Sequence, residues 1–261
     1  MIYFIGFNIG NAQDVTDRAK EVIRSCDVIY CEDTRMKLPF EGKRISFFEH
    51  NEEKRIDEVL QLEKEGKTIG IVTESGMPVI SDPGYLLVRK LIEKNISFKV
   101  IPGVSAVTTA LLYSGLPPMP FTFVGFLPRK KSDIEKLINN LSSTVVFFES
   151  AQRIEGTLKI LKEMIPTKNI ALCREMTKKY EEIVRGTVSE VLEKLPSITL
   201  KGELTVVLYI DTEKHFITIE QSQVVQLAKD LQLKGLSKKD IMSVLQKLGI
   251  RKNLLYEVLH E

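Results

Sequence analysis

Four short polar segments of this 261-residue chain combine groups able to hold a ligand with the turn residues that let a main chain approach one. They are Asn8-Ile9-Gly10-Asn11, Glu32-Asp33-Thr34-Arg35, Glu74-Ser75-Gly76-Met77-Pro78 with Ser81-Asp82-Pro83-Gly84, and Pro102-Gly103-Val104-Ser105-Ala106. Each follows an apolar run of strand character, and open α/β sheets bind ligands beyond the carboxyl ends of their strands. Glycine and proline at such bends permit close main-chain contact. Any one of these segments alone reads as ordinary turn chemistry. Four at one sheet edge define a site.

Stronger motifs are missing. There is no G-x-x-x-x-G-K-[ST] phosphate loop, and Gly6 and Gly10 stand too far apart for G-x-G-x-x-G. H-E-x-x-H, C-x-x-C and G-x-S-x-G are absent as well. Three cysteines (Cys26, Cys31, Cys173) give neither a disulfide framework nor zinc spacing with the three histidines, so no metal and a reduced, cytoplasmic location are expected.

The elements that must position these bends follow from hydrophobic periodicity. Ile2 to Phe7, Val28 to Glu32, Ile45 to Phe48, Thr68 to Ser75 and Phe98 to Gly103 read as strands. Helices are expected from Asp14 or Thr16 to about Cys26, over Asn51 to Lys64 and Tyr85 to Lys94, and from Ser105 to Ser114 before Gly115. Such alternation argues for an α/β fold with a parallel sheet covered on both faces. Gly115 to Pro120 is the sharpest break and marks a domain boundary. Beyond it, Phe121 to Leu127, Ser143 to Ser150, Ile170 to Met176 and Glu203 to Ile210 read as strands, with helices over Ser132 to Leu141, Glu155 to Met164 and Val188 to Leu195. The expected division is 1–116, 117–213 and a helical appendix of about three short helices, 214–261.

Hydrophobic residues at 43% and charged residues at 28% fit an ordinary globular protein, and no apolar run approaches the ~20 residues needed to span a bilayer. The start, MIYFIGFNIGN, reads as a buried strand rather than a signal peptide. A net charge of +2 does not announce a nucleic-acid binder, although seven Lys/Arg face four Asp/Glu from Lys229 to Glu261.

Several strings then carry a family resemblance. They are Ile9-Gly10-Asn11 with DVTDRA, CEDTR (Cys31 to Arg35), HNE (His50 to Glu52), PVISDPGYLLVR (Pro78 to Arg89), PGVSAVTTAL (Pro102 to Leu111) and SGLP (Ser114 to Pro117). GFLPRK (Gly125 to Lys130), FFES-x-x-R (Phe147 to Arg153), LCREMTKKYEE (Leu172 to Glu182) and KGE (Lys201 to Glu203) complete the set. In this order they resemble the ribosomal RNA small subunit methyltransferase I family, a branch of the tetrapyrrole methylases.

The resemblance implies a two-domain tetrapyrrole-methylase fold, a homodimer, and S-adenosyl-L-methionine folded between the domains. It also implies 2'-O-methylation of a cytidine of small-subunit (16S) ribosomal RNA near the decoding centre. By position, Asn8, Ile9, Glu74, Ser75, Gly76, Ser105, Ala106, Phe148, Arg174 and Leu204 would contact the cofactor. The main chain near Ser105 and Leu204 would bind adenine. Methylating a hydroxyl also calls for a base. Glu32, Asp33 and His50 are candidates, with Arg35 on a phosphate or, alternatively, paired with Glu32. Arg129, Lys130, Lys131, Lys178 and Lys179 would hold the RNA backbone, with Phe126 or Tyr180 stacking a base. Two departures stand out: Asn8 replaces the proline of the usual T-P-I-G-N, and Glu74-Ser75-Gly76-Met77-Pro78 replaces D-A-G-T-P. They predict altered cofactor affinity. The competing readings are a tetrapyrrole methylase proper and a catalytically impaired ribosome-binding module.

Overall fold

The structure, a computed structural model, describes residues 1–210, 221–247 and Leu255. It divides into two units, Met1–Asp211 and Thr212–Glu261. The first unit contains two five-stranded sheets.

The first sheet takes in β1 (Ile2–Ile5), β2 (Val28–Cys31), β3 (Lys43–Ser46), β4 (Ile69–Val72) and β5 (Phe98–Ile101), in the order β3-β2-β4-β1-β5. Every pairing in it is parallel. The apolar runs are continuous because both faces are covered. Ile2, Phe4, Tyr30 and Ile71 pack under α2 (Glu52–Lys64) and α3 (Tyr85–Glu93); Ile5, Ile29, Cys31 and Val72 pack with Ala19 and Ile23 of α1 (Asp17–Ser25). Burial of each large aliphatic side chain stabilises by roughly 1.5–3 kcal/mol. Thr16 caps α1, its hydroxyl accepting from the Ala19 N–H at 3.1 Å.

Glu52, from the HNE string, has a role that spacing does not show. It is buried, and its Oε1 accepts the Leu87 N–H at 3.0 Å. Leu87 lies in the first turn of α3, and the preceding Gly84 has no side chain with which to cap it. One helix thus supplies the carboxylate that the positive end of another lacks. Glu52→Ala is expected to cost about 2 kcal/mol, with Glu52→Gln losing about half of that. Urea unfolding checks this, and a midpoint equal to the parent's for the alanine variant would refute the cross-helix cap.

The helix α4 (Ala106–Ser114) ends at Gly115, which takes the left-handed φ of 68° that closes a helix. The second sheet follows: β6 (Phe121–Phe126), α5 (Lys131–Asn139), β7 (Ser143–Ser150), α6 (Ile154–Met164), β8 (Asn169–Arg174), β9 (Glu182–Thr187), α7 (Val188–Lys194) and β10 (Glu203–Ile210). Its order is β6-β7-β10-β8-β9, with β6 parallel to β7 and the other pairs antiparallel. β9 was not anticipated from sequence: this edge strand, EIVRGT, is only half-buried and shows no clear apolar alternation. Val107, Ala110 and Leu111 of α4 pack against Val146, Ala171, Cys173 and Val207, so a helix from the first sheet's segment sits in the second sheet's core.

In the second unit, α8 (Gln221–Leu233) and α9 (Lys238–Lys247) bury Val224, Ala228, Ile241 and Leu245 together with Leu255. The expected third helix, around Gly249 to Asn253, lies outside the described residues. No described helix is long and apolar enough to cross a membrane.

Candidate active site

The four polar bends extend from β1, β2, β4 and β5, which are consecutive neighbours in the sheet. Main-chain bonds join them: Phe7 N–H donates to the Gly76 carbonyl at 2.8 Å, and Gly76 N–H to the Asn8 carbonyl at 3.1 Å. Gly6 and Gly103 meet backbone to backbone, and a Cβ on Gly6 would lie 2.6 Å from the Gly103 nitrogen. Met77, one of the two departures, turns its sulfur toward Gly103, whose N–H lies 3.2 Å away. The segment after β4 is strained: Val79 and Ser81 have φ of 80° and 63°. A β-branched residue rarely adopts that region, and such outliers gather at functional sites.

These bends form one wall of a cavity of about 440 Å³, within the size range of small-molecule sites. Ile9, Glu32, Glu74 to Met77 and Ile80 to Asp82 come from the first sheet's loops, and Ser105 to Val107 from the start of α4. Phe126, Phe148 to Ser150 and Gly202 to Thr205 close the other side. Phe148 stacks edge-on with Phe123 and Phe126, at centroid distances of 4.9 and 5.6 Å. A second, more open groove of about 450 Å³ is lined by Asn8, Gly10, Asp33, Arg35, Lys37 and Glu74 among others, so the two spaces share Glu74.

The cavity is acidic. Glu32, Glu74, Asp82, Glu149 and Glu203 line it, and among the described residues no Lys, Arg or His does. Two of the five have a cation beside them. Glu149 accepts from Thr157 Oγ1 at 2.7 Å and from the Ser150 N–H at 2.8 Å, and lies 3.5 Å from Arg153 Nε; Glu203 lies 3.0 Å from Lys178 Nζ. The other three are not paired with a cation among the described residues. Burial, then the charge of Glu74, raises the Glu32 carboxyl. Burial, then Glu32 and Glu74, pushes Asp82 up to about 7. A concentration of negative charge with low-polarity walls favours a cationic ligand.

Of the residues singled out from sequence, Ile9, Glu32, Glu74, Ser75, Gly76, Ser105, Ala106, Phe148 and Leu204 come together on this cavity. Asn8 and Arg35 line the groove instead. Arg174 lines neither; its guanidinium binds Glu182 at 3.1 Å and the Lys201 carbonyl at 3.4 Å, because β9 supplies a carboxylate beside it. The Arg35 pairing differs from the Glu32 alternative: Nε and Nη2 grip Asp33 at 2.9 and 2.7 Å, holding Asp33 down at about 2. His50 stacks on Phe48 and lines neither space. Arg129 and Lys130 are exposed, Lys131 is bound to Glu163, Lys178 bridges Glu175 and Glu203, and Lys179 sits 5.4 Å over the Tyr180 ring. The sequence placed Asp82 in one of the four bends without giving it a role, and gave no role to Glu149 of Phe147 to Arg153. The three cysteines are buried, with thiols raised to about 11 or 12 chiefly by burial, which leaves them unreactive.

Residues 1–192 match the tetrapyrrole (corrin/porphyrin) methylases, and the chain is a member of that class. Solved structures share the fold. A uroporphyrin-III C-methyltransferase from Thermus thermophilus is 21% identical with a TM-score of 0.57, over 80% of this chain and 93% of that one. A diphthine synthase is 14% identical with a TM-score of 0.62, over 80% and 90%. The proteins named ribosomal RNA small subunit methyltransferase I from Thermotoga maritima and Halalkalibacterium halodurans are 42% and 35% identical. The first alignment covers 79% of this chain and 97% of its relative, the second 100% and 94%. The chain belongs to the ribosomal RNA small subunit methyltransferase I family.

Proposed function

We propose that this chain is an S-adenosylmethionine-dependent enzyme that methylates the ribose 2'-hydroxyl of a cytidine in small-subunit ribosomal RNA. The observation that carries the reading is the acidic cavity, whose lining includes the exposed Phe126, three residues ahead of the exposed basic pair Arg129 and Lys130. Family membership supports it, and so does the name its relatives bear.

The residues present fit the cofactor. S-adenosylmethionine is net positive at neutral pH, and three carboxyl groups without a cation partner among the described residues line the cavity. When bound, it supplies an electrophilic methyl group on a sulfonium. Ile9, Ser75, Gly76, Ser105, Ala106 and Leu204 would hold it largely through main chain, with Phe148 giving it an apolar surface. Arg174, bound to Glu182 and to the Lys201 carbonyl just ahead of β10, would act by holding Leu204 in place. The chain's own contribution is alignment and exclusion of water, since orientation supplies much of the acceleration in such displacements.

RNA would occupy the groove that meets the cavity at Glu74, with Arg35 and Lys37 toward phosphates. Phe126 offers a stacking face for an unpaired base. Lys178 and Lys179 would flank the strand from the second sheet. A homodimer is part of the reading: Val100 on edge strand β5, Leu112 on α4 and Met119 are exposed apolar side chains of the kind that a second copy covers.

The test is incubation with labelled S-adenosylmethionine and undermethylated small subunits, followed by mass mapping of the RNA. One added methyl on a cytidine ribose is expected, with none on uroporphyrinogen. Label only on the macrocycle, or on a base, would overturn the proposal.

A further inference from the structure

Asp82 is brought to the cavity wall without a partner. Its carboxylate makes no hydrogen bond and no ion pair among the described residues, yet it lies on the strained segment that carries Val79 and Ser81 at positive φ. The charged groups facing it are Glu32 and Glu74 from neighbouring loops. Across the cavity, Glu149 is engaged by Arg153 and Glu203 by Lys178. The other candidates are less suited, Glu74 because it is exposed where the cavity meets the open groove. Asp33 is held by Arg35 and does not line the cavity, and the Glu32 carboxyl is influenced first by burial and then by the neighbouring Glu74.

Resting on the methyl-transfer reading above, we propose that Asp82 is the general base that receives the proton of the attacking ribose hydroxyl. The hydroxyl oxygen bonds to the methyl carbon as the methyl–sulfur bond breaks. That bond's electron pair stays on sulfur, and the hydroxyl proton passes to an Asp82 carboxylate oxygen. Nothing else is consumed. Burial and the two neighbouring carboxylates hold Asp82 at about 7, where a base combines availability with strength. Asp33, at about 2, is too weak.

The same arrangement has a consequence measurable without turnover. At pH 7 the free protein holds Asp82 about half protonated, and a cationic ligand favours the anion. Binding S-adenosylmethionine should therefore release up to about half a proton. S-adenosylhomocysteine, which lacks the sulfonium charge, should release less.

Calorimetry of the full chain with both ligands, in buffers of differing ionisation enthalpy, measures that release; Asp82→Asn should abolish it while leaving the S-adenosylhomocysteine Kd within about threefold of the parent. In single-turnover methylation of small subunits, Asp82→Asn should fall by about 100-fold or more and lose the parent's acid limb, which lies below pH 7 because the bound cationic cofactor favours the Asp82 anion. Asp82→Glu should recover part of the rate. An Asp82→Asn variant that keeps the parent rate and acid limb, or still releases the proton, overturns the assignment. A parent chain that transfers no methyl to RNA overturns the functional reading itself, and this is visible before any variant is compared.

Discussion

Gly103→Ala is expected to weaken S-adenosylhomocysteine binding by about 30-fold and to lower stability by about 2–3 kcal/mol. A Cβ there would lie 2.8 Å from the Gly6 carbonyl carbon and 2.9 Å from its Cα. Both are main-chain atoms, and Gly6 is held in place by its N–H bond to the Ile101 carbonyl at 2.8 Å. No side chain can swing away, so the strand ends must part. Parting them moves Pro102 to Ser105, the approach to the α4 end of the cavity wall. Urea unfolding with calorimetry reads both effects, and parent-like affinity in a folded alanine variant would show that the close approach does not shape the cavity.

Arg153→Ala should have the other large effect. Arg153 Nη2 donates to the Leu127 and Pro128 carbonyls at 2.9 and 2.7 Å, while its Nε faces Glu149, whose side chain is fully buried. Removing one member of a buried charge pair costs about 3–5 kcal/mol. Thr157 and the Ser150 N–H still hold Glu149, and Arg153 is 31% exposed, so about 2–3 kcal/mol is expected. For a chain of this size that is a Tm drop of roughly 5–10 °C. RNA methylation should fall further than S-adenosylhomocysteine affinity, because the freed turn carries Arg129 and Lys130. Arg153→Lys should not rescue, since one ammonium cannot reach both carbonyls and the carboxylate. Unchanged thermal unfolding in Arg153→Ala would refute this account of the FFES-x-x-R string.

The first sheet was legible because its signals are local. Continuous apolar runs, each followed by a Gly- or Pro-rich bend, gave β1, β2, β4 and β5, and their adjacency put the four bends side by side. β9 was not legible, because half-burial at a sheet edge leaves Glu182–Thr187 with mixed chemistry. Pairings between distant segments were equally hidden. Glu52 meets Leu87 and Arg153 meets Leu127 through folding alone, so strings that looked functional turn out to brace the turns near the cavity. Arg35 resolved the other way: two carboxylates precede it in the same turn, and only coordinates distinguish Asp33 from Glu32. Asp82 was visible as a turn residue within Ser81 to Gly84. Its significance comes from burial beside two other carboxylates, which spacing does not encode.

The placement of α4 limits how a ligand can come and go. Its first residues line the cavity while its middle is embedded among β7, β8 and β10, and the Asn11 N–H reaches Thr177 Oγ1 at 3.2 Å on another rim. A clamshell swing of one sheet away from the other would tear out Val107, Ala110 and Leu111. Exchange of donor and by-product falls instead to the rims that are already exposed, at Ile80 and Phe126 and at Glu74, where the cavity meets the open groove. An RNA lying in that groove, as proposed above, would stand across one of those exits.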